Sequence, residues 1–146
     1  MSGYTSTRTF GAPRELVWGC LTEAGHVGVW FGGHDGRMED MVCEPVVGGR
    51  WGGTMVLPDG HRIEWDGRFL VVEGPARLVW AFTDVPPLPA DATEGYAITL
   101  TEVDGGTELV LTQEGGALTE EQYVEARAGT SIFLDVLAEH LATLRA

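Results

Sequence analysis

At 146 residues, 44% of them hydrophobic, the chain has the length and apolar content of one domain with its own core, and it reads as a single unit over residues 1–146. Its 22 acidic residues outweigh nine basic ones, all arginine; the net charge of −13 repels phosphate backbones and anionic lipid headgroups, which argues against nucleic acid and acidic membranes as partners. The 21 glycines are about twice the usual share of roughly 7% but show no three-residue period, which excludes collagen and leaves turns and bends.

Residues Tyr4 to Phe10, "YTSTRTF", are rich in threonine and aromatics and suit a first strand. Pro13 fits the first turn of a helix, where its missing N–H costs nothing. Leu16, Val17 and Leu21 follow at helical spacing, flanked by Trp18 and Cys20. Thr22 then offers an N-cap for a second, short helix over "TEAGHVGVWF", weakened by its glycines. From Asp35 the pattern turns to strand, and "GRMEDMVCEPV" is broken at Pro45.

Pro45 to Met55, "PVVGGRWGGTM", sets four glycines around Arg50 and Trp51. No strand followed by a helix flanks them, so a phosphate-binding loop is unsupported. Glycines inside a strand mark bulges, bends or close backbone approach. Here they are expected to curl the sheet and make room for the Trp51 indole, with Gly49 or Gly52 strained or pressed against another group.

Alternate strand residues share a face, so Trp51, Met55 and Leu57 point one way. Pro58-Asp59-Gly60 is a hairpin turn. In "HRIEWDGRFLVV", Ile63, Trp65, Phe69 and Val71 take one face; Glu64, Asp66 and Arg68 take the other. Leu78, Trp80 and Phe82 share a face of the next strand. "TDVPPLPADATEG" is the one long irregular segment, and Asp84 to Glu94 is expected to be a mobile loop bordering a pocket mouth. Two further strands carry Tyr96, Ile98 and Leu100, then Leu109 and Leu111. The last element is a helix from about Thr119 to Leu144. Thr119 and Gln122 make a capping box, and Phe133, Val136, Leu137, His140, Leu141 and Leu144 form the apolar stripe. The order predicts an α+β fold: a curved antiparallel sheet wrapped around a long C-terminal helix.

Cys20 falls in a helix and Cys43 in a strand, so two buried, reduced thiols are expected rather than a disulfide. No apolar leader precedes the first strand and no apolar run approaches 18 residues, so a cytoplasmic protein off the membrane is the expectation. The four histidines form neither an HExxH nor a paired-cysteine pattern, so no metal and no cofactor are expected; His61 reads as exposed, and His140 as a residue of the core edge. Asp40, Glu44, Glu64 and Asp66 read as a solvated acidic face, with Asp66 and Arg68 an exposed pair. No G-x-S-x-G occurs, and no catalytic residue is assigned. Trp18 and Trp30 read as core. For Trp51, Trp65 and Trp80, core packing and cavity wall stand level, because both use the same apolar face.

Taken in order, "RTFGAPRELVWGCLTEAGHVGVWF", "VGGRWGGTMVLPDG", "GRFLVVEGPARLVWAF", "LTEVDGGTELVLT" and "LDVLAEHL" resemble the activator-homologue family of the heat-shock chaperone ATPase, within the START-like (SRPBCC) superfamily. The resemblance implies a helix-grip fold with a cavity between the sheet and the last helix. It implies an apolar or aromatic small-molecule ligand there, catalysis of cyclisation or dehydration in some relatives, and chaperone stimulation in the members that name the family. Two residues depart from the family pattern. Gly129-Thr130 stands where Gly-Trp is common, which would enlarge the cavity, and Gln113 stands where histidine is common, which removes an ionisable group.

Three functions follow as expectations. The first is a pocket protein binding an apolar small molecule, lined by Trp51, Met55, Trp65, Phe69 and Trp80 from the sheet and Thr130, Phe133 and Leu137 from the helix. The second is a cyclase- or dehydratase-type enzyme using that pocket. The third is a chaperone-linked interaction module, ranked last because one small domain offers no second domain to a large partner. Oligomeric state is left open, with a homodimer one option.

Overall fold

Hairpin-linked strands with one apolar face build a single sheet that must be covered on that face. The computed structural model describes residues 3–82, 94–115 and 118–145. Its elements run β1 (Gly3–Phe10), α1 (Arg14–Thr22), α2 (Ala24–Trp30), β2 (Arg37–Cys43), β3 (Arg50–Val56), β4 (Arg62–Glu73), β5 (Arg77–Phe82), β6 (Gly95–Val103), β7 (Gly106–Glu114) and α3 (Glu120–Arg145). The seven strands form one antiparallel sheet in the order β1-β7-β6-β5-β4-β3-β2. Pairing of β1 with β7 sets the first strand beside the last, and α1 and α2 carry the chain from one sheet edge to the other.

The long helix α3 covers the concave face, giving the helix-grip arrangement. Tyr123, Leu134, Leu137 and Leu141 join the core with Phe69, Leu78, Trp80, Ile98 and Leu111 of the sheet. Arg8 fastens β1 to α3 by donating to Asp135 Oδ1 at 2.7 Å and to Ser131 Oγ at 2.8 Å. The capping box forms as its residues predict: Gln122 N–H donates to Thr119 Oγ1 at 3.1 Å, and Thr119 N–H to Gln122 Oε1 at 2.8 Å. Both cysteines are free, Cys20 buried and Cys43 partly so.

The glycine-rich turn behaves as a close approach. A Cβ on Gly49 would strike Glu44 O, and one on Gly52 would lie 2.5 Å from Trp65 O. The left-handed backbone falls at Gly48, with φ +84.

Several local expectations are corrected. Thr22 ends α1 instead of capping α2; its hydroxyl donates to Trp18 O at 2.8 Å, and Glu23 is the N-cap. Pro13 is likewise the N-cap of α1, one residue before the first helical turn. A bulge between Phe69 and Val71 adds a residue to β4, so Val72, and not Val71, packs against the core. Leu144 is 39% exposed, whereas Leu134, left out of the predicted stripe, is 1% exposed. Asp66 pairs with Arg50 at 3.7 Å, across the β3–β4 ladder, and not with Arg68 on its own strand. The loop expected from Asp84 to Glu94 lies outside the described residues except for Glu94, which is buried.

Candidate functional site

β1, β6, β7 and α3 each send a polar side chain into the interior, where they meet. Tyr4 Oη donates to Gln113 Oε1 at 2.6 Å and lies 2.6 Å from Thr130 Oγ1. Tyr4 has one proton and spends it on Gln113, so the Thr130 hydroxyl donates to Tyr4 and accepts from Tyr96 Oη at 3.1 Å. Gln113 Nε2 donates onward to Glu94 Oε2 at 3.0 Å, and Tyr123 Oη donates to Glu94 Oε1 at 2.8 Å. The result is a directed chain: Tyr96 to Thr130 to Tyr4 to Gln113 to Glu94, with Tyr123 joining at the carboxylate. Glu94 is 0% exposed, Thr130 2% and Gln113 5%. Burial raises the Tyr4 and Tyr96 hydroxyls above the ordinary phenol range, so both stay protonated donors.

Thr130 and Gln113, the two residues singled out from the sequence, are thus joined through one side chain, Tyr4. The space beside Thr130 holds the Tyr4 and Tyr96 hydroxyls.

Beside this chain lies an aromatic cluster. Trp51 stacks on Trp80 at 5.2 Å between centroids; Phe31 meets Trp51 edge-on at 4.8 Å and Trp65 edge-on at 5.1 Å, and lies tilted against Phe133 at 4.7 Å. Phe69 and Tyr96 each meet Trp80 edge-on. Trp51, Met55, Phe69, Trp80 and Leu137 are in the buried core, Trp65 and Phe133 pack against it, and Thr130 bonds to its two tyrosines. The eight residues predicted to line a pocket thus lie in or against one core, with ring contacts joining Trp51, Trp65, Phe69 and Trp80. The Nε1 donors of Trp51, Trp65 and Trp80 are buried without an acceptor among the described residues, which is unusual for indoles.

Sequence reasoning missed Glu94, Tyr4, Tyr123 and Phe31. Tyr4 and Tyr123 carry no motif, Phe31 ends a helix too weak to place, and Glu94 closes an irregular segment. Only its position one residue before a strand hinted at an ordered role. Asp40, Glu44, Glu64 and Asp66 stay outside the interior chain; Glu64, for example, accepts from Thr54 Oγ1 at 2.9 Å on the strand pair β3–β4. The histidines that spacing kept apart also meet: His26 Nδ1 lies 2.8 Å from His140 Nε2. Burial and the neighbouring His26 push His140 below the usual imidazole range.

The family model described as activator of Hsp90 ATPase homolog 1-like protein matches residues 11–142. No curated protein matches the chain. Among solved structures, a protein from Chromobacterium violaceum is 22% identical with a TM-score of 0.83, over 96% of this chain and 96% of that one. One from Rhodobacter sphaeroides is 24% identical with a TM-score of 0.83, over 98% and 93%. An AHSA1-like protein from Aeromonas hydrophila is 21% identical with a TM-score of 0.76, over 97% and 94%. At such identities the likeness is one of fold.

Proposed function

The chain belongs to the activator of Hsp90 ATPase homolog 1-like family, and from that premise we propose that it is a protein-interaction module engaging a chaperone ATPase of the Hsp90 type. The observation that carries this reading beyond the family match is an apolar surface. Val46 is 61% exposed, Val47 72% and Leu70 54%. Gly48 N–H donates to Phe69 O at 2.8 Å and Phe69 N–H to Gly49 O at 3.0 Å, which sets the valine turn alongside Leu70. Clustered exposed aliphatics are a feature of surfaces that meet partners. The test adds the protein to an Hsp90-type chaperone and measures ATP hydrolysis. Stimulation that disappears in Val47→Asp/Leu70→Asp, with thermal melting unchanged, is the expected result. No stimulation, or an undiminished response of the double variant, rejects the reading.

A second reading is supported by the interior. Three buried indole donors without acceptors among the described residues suit a small apolar or aromatic molecule carrying an acceptor oxygen. It would lie among Trp51, Met55, Trp65, Phe69, Trp80, Thr130, Phe133 and Leu137. Trp51, Phe69 and Trp80 have no exposed surface, so binding would have to part these rings. A cyclase- or dehydratase-type enzyme would use the same place, with the Tyr4 hydroxyl and the Glu94 carboxylate at hand for proton transfer. Native mass spectrometry of protein from its own source decides between the readings: a retained small molecule supports the second, and a bare chain that stimulates the chaperone supports the first.

A further inference from the structure

Three helices converge on one point away from the interior polar chain. α1 brings Cys20, α2 brings His26 and α3 brings His140; Cys20 Sγ and one ring nitrogen of each histidine all lie within 4.8 Å of one another, and His26 Nδ1 is 2.8 Å from His140 Nε2. The approach is held in place independently of these groups, since Trp30 Nε1 donates to Cys20 O at 2.8 Å and fixes α2 against α1. Cys20 is buried while both imidazoles are half-buried, so a small ion can reach the histidines from solvent and the thiol from the histidines.

From this convergence we propose a zinc site: Cys20, His26 and His140 bind one Zn2+ through Sγ, Nδ1 and Nε2, with a solvent molecule in the fourth position. One thiolate and two imidazoles are ligands of the borderline-soft character that zinc takes. In a tetrahedral site with Zn–S about 2.3 Å and Zn–N about 2.0–2.1 Å, the ligand atoms stand about 3.4–3.6 Å apart. The two ring nitrogens, 2.8 Å apart, would open slightly, and the wider separations, within 4.8 Å, would close by side-chain rotation. Binding forms one Zn–S and two Zn–N bonds as the hydrated ion releases all but one of its bound waters to solvent. The thiol proton leaves to solvent, and the proton shared between the rings moves to the far nitrogen of its own ring, so each histidine ligates as a neutral imidazole. The inference is independent of the proposed chaperone or ligand function.

The experiment titrates the metal-free full chain with Zn2+ against a chromophoric chelator, and separately with Co2+ read by absorption. The expected result is one equivalent bound, a rise in Tm with Zn2+, and a Co2+ spectrum with a thiolate charge-transfer band and tetrahedral visible bands. Cys20→Ser should abolish the thiolate band. His26→Gln and His140→Gln should each weaken Zn2+ binding by at least tenfold, since even an outer-shell partner is worth about 10–100-fold. Cys43→Ser should leave binding intact. Circular dichroism of each metal-free variant checks its fold, and the half-buried histidine positions keep the test usable if Cys20→Ser misfolds. Co2+ bound without a thiolate band, or Zn2+ bound as tightly by the two histidine variants as by the parent, overturns the site.

Discussion

Thr130 holds two tyrosine hydroxyls at once, so its effect on stability exceeds what its size suggests. Thr130→Val keeps the shape but leaves Tyr4 and Tyr96 short of a partner in a buried place, which should cost about 1–3 kcal/mol by urea unfolding. Thr130→Ser should recover most of it; equal loss in both variants would mean that the methyl group matters and the hydroxyl does not. Thr130→Trp should overpack and destabilise, because the two hydroxyls already occupy that space. Cys43 makes a separate prediction at this scale. Burial pushes its thiol up to about 12, against about 8.5 in an unfolded chain. The neutral thiol therefore contributes stability that is fully present below the unfolded value and is lost as pH rises toward the folded one. Parent and Cys43→Ser should show parallel stability from pH 6 to about 8, and the parent should then fall faster toward about pH 10. Identical slopes across that window would reject the shift.

At the scale of elements, the turn before β3 depends on glycine for room. Gly49→Val would drive a side chain into Glu44 O, and Gly52→Val into Trp65 O across the β3–β4 ladder. Each should lower stability by more than about 1 kcal/mol in thermal or chemical unfolding. Parent-like melting of both would show that the turn adapts. This close approach was legible in the sequence, because four glycines around one tryptophan have few other physical uses. The β4 bulge was not, since alternation assumes one residue per step and nothing in "RFLVVE" marks the step that carries an extra residue. The cap of α2 was misread for a related reason: Thr22 suits an N-cap by type, yet its hydroxyl bonds back into α1.

For the whole molecule, Phe31 joins the layers. It is fully buried and meets Trp51 and Trp65 of the sheet and Phe133 of α3. Phe31→Ala should therefore cost about 3–5 kcal/mol, a large part of the 5–15 kcal/mol typical of a domain. A loss under about 1 kcal/mol would show that sheet and helix hold together without it. No helix among the described residues is long and apolar enough to cross a membrane.

Read alone, the sequence determined the element order, the antiparallel sheet gripping one helix, the inward tryptophans and the capping box. Each is written locally, in a period of two or 3.6 residues or in a four-residue motif. Only the tertiary structure decided that Thr130 and Gln113 meet through Tyr4, that Glu94 is buried beneath Tyr123, and that Cys20, His26 and His140 share one point. These groups stand up to 126 residues apart in the chain. Their meeting depends on strand order and helix placement, which no local period encodes. A polar residue shows in sequence that it needs a partner, and the folded chain alone determines which one it finds.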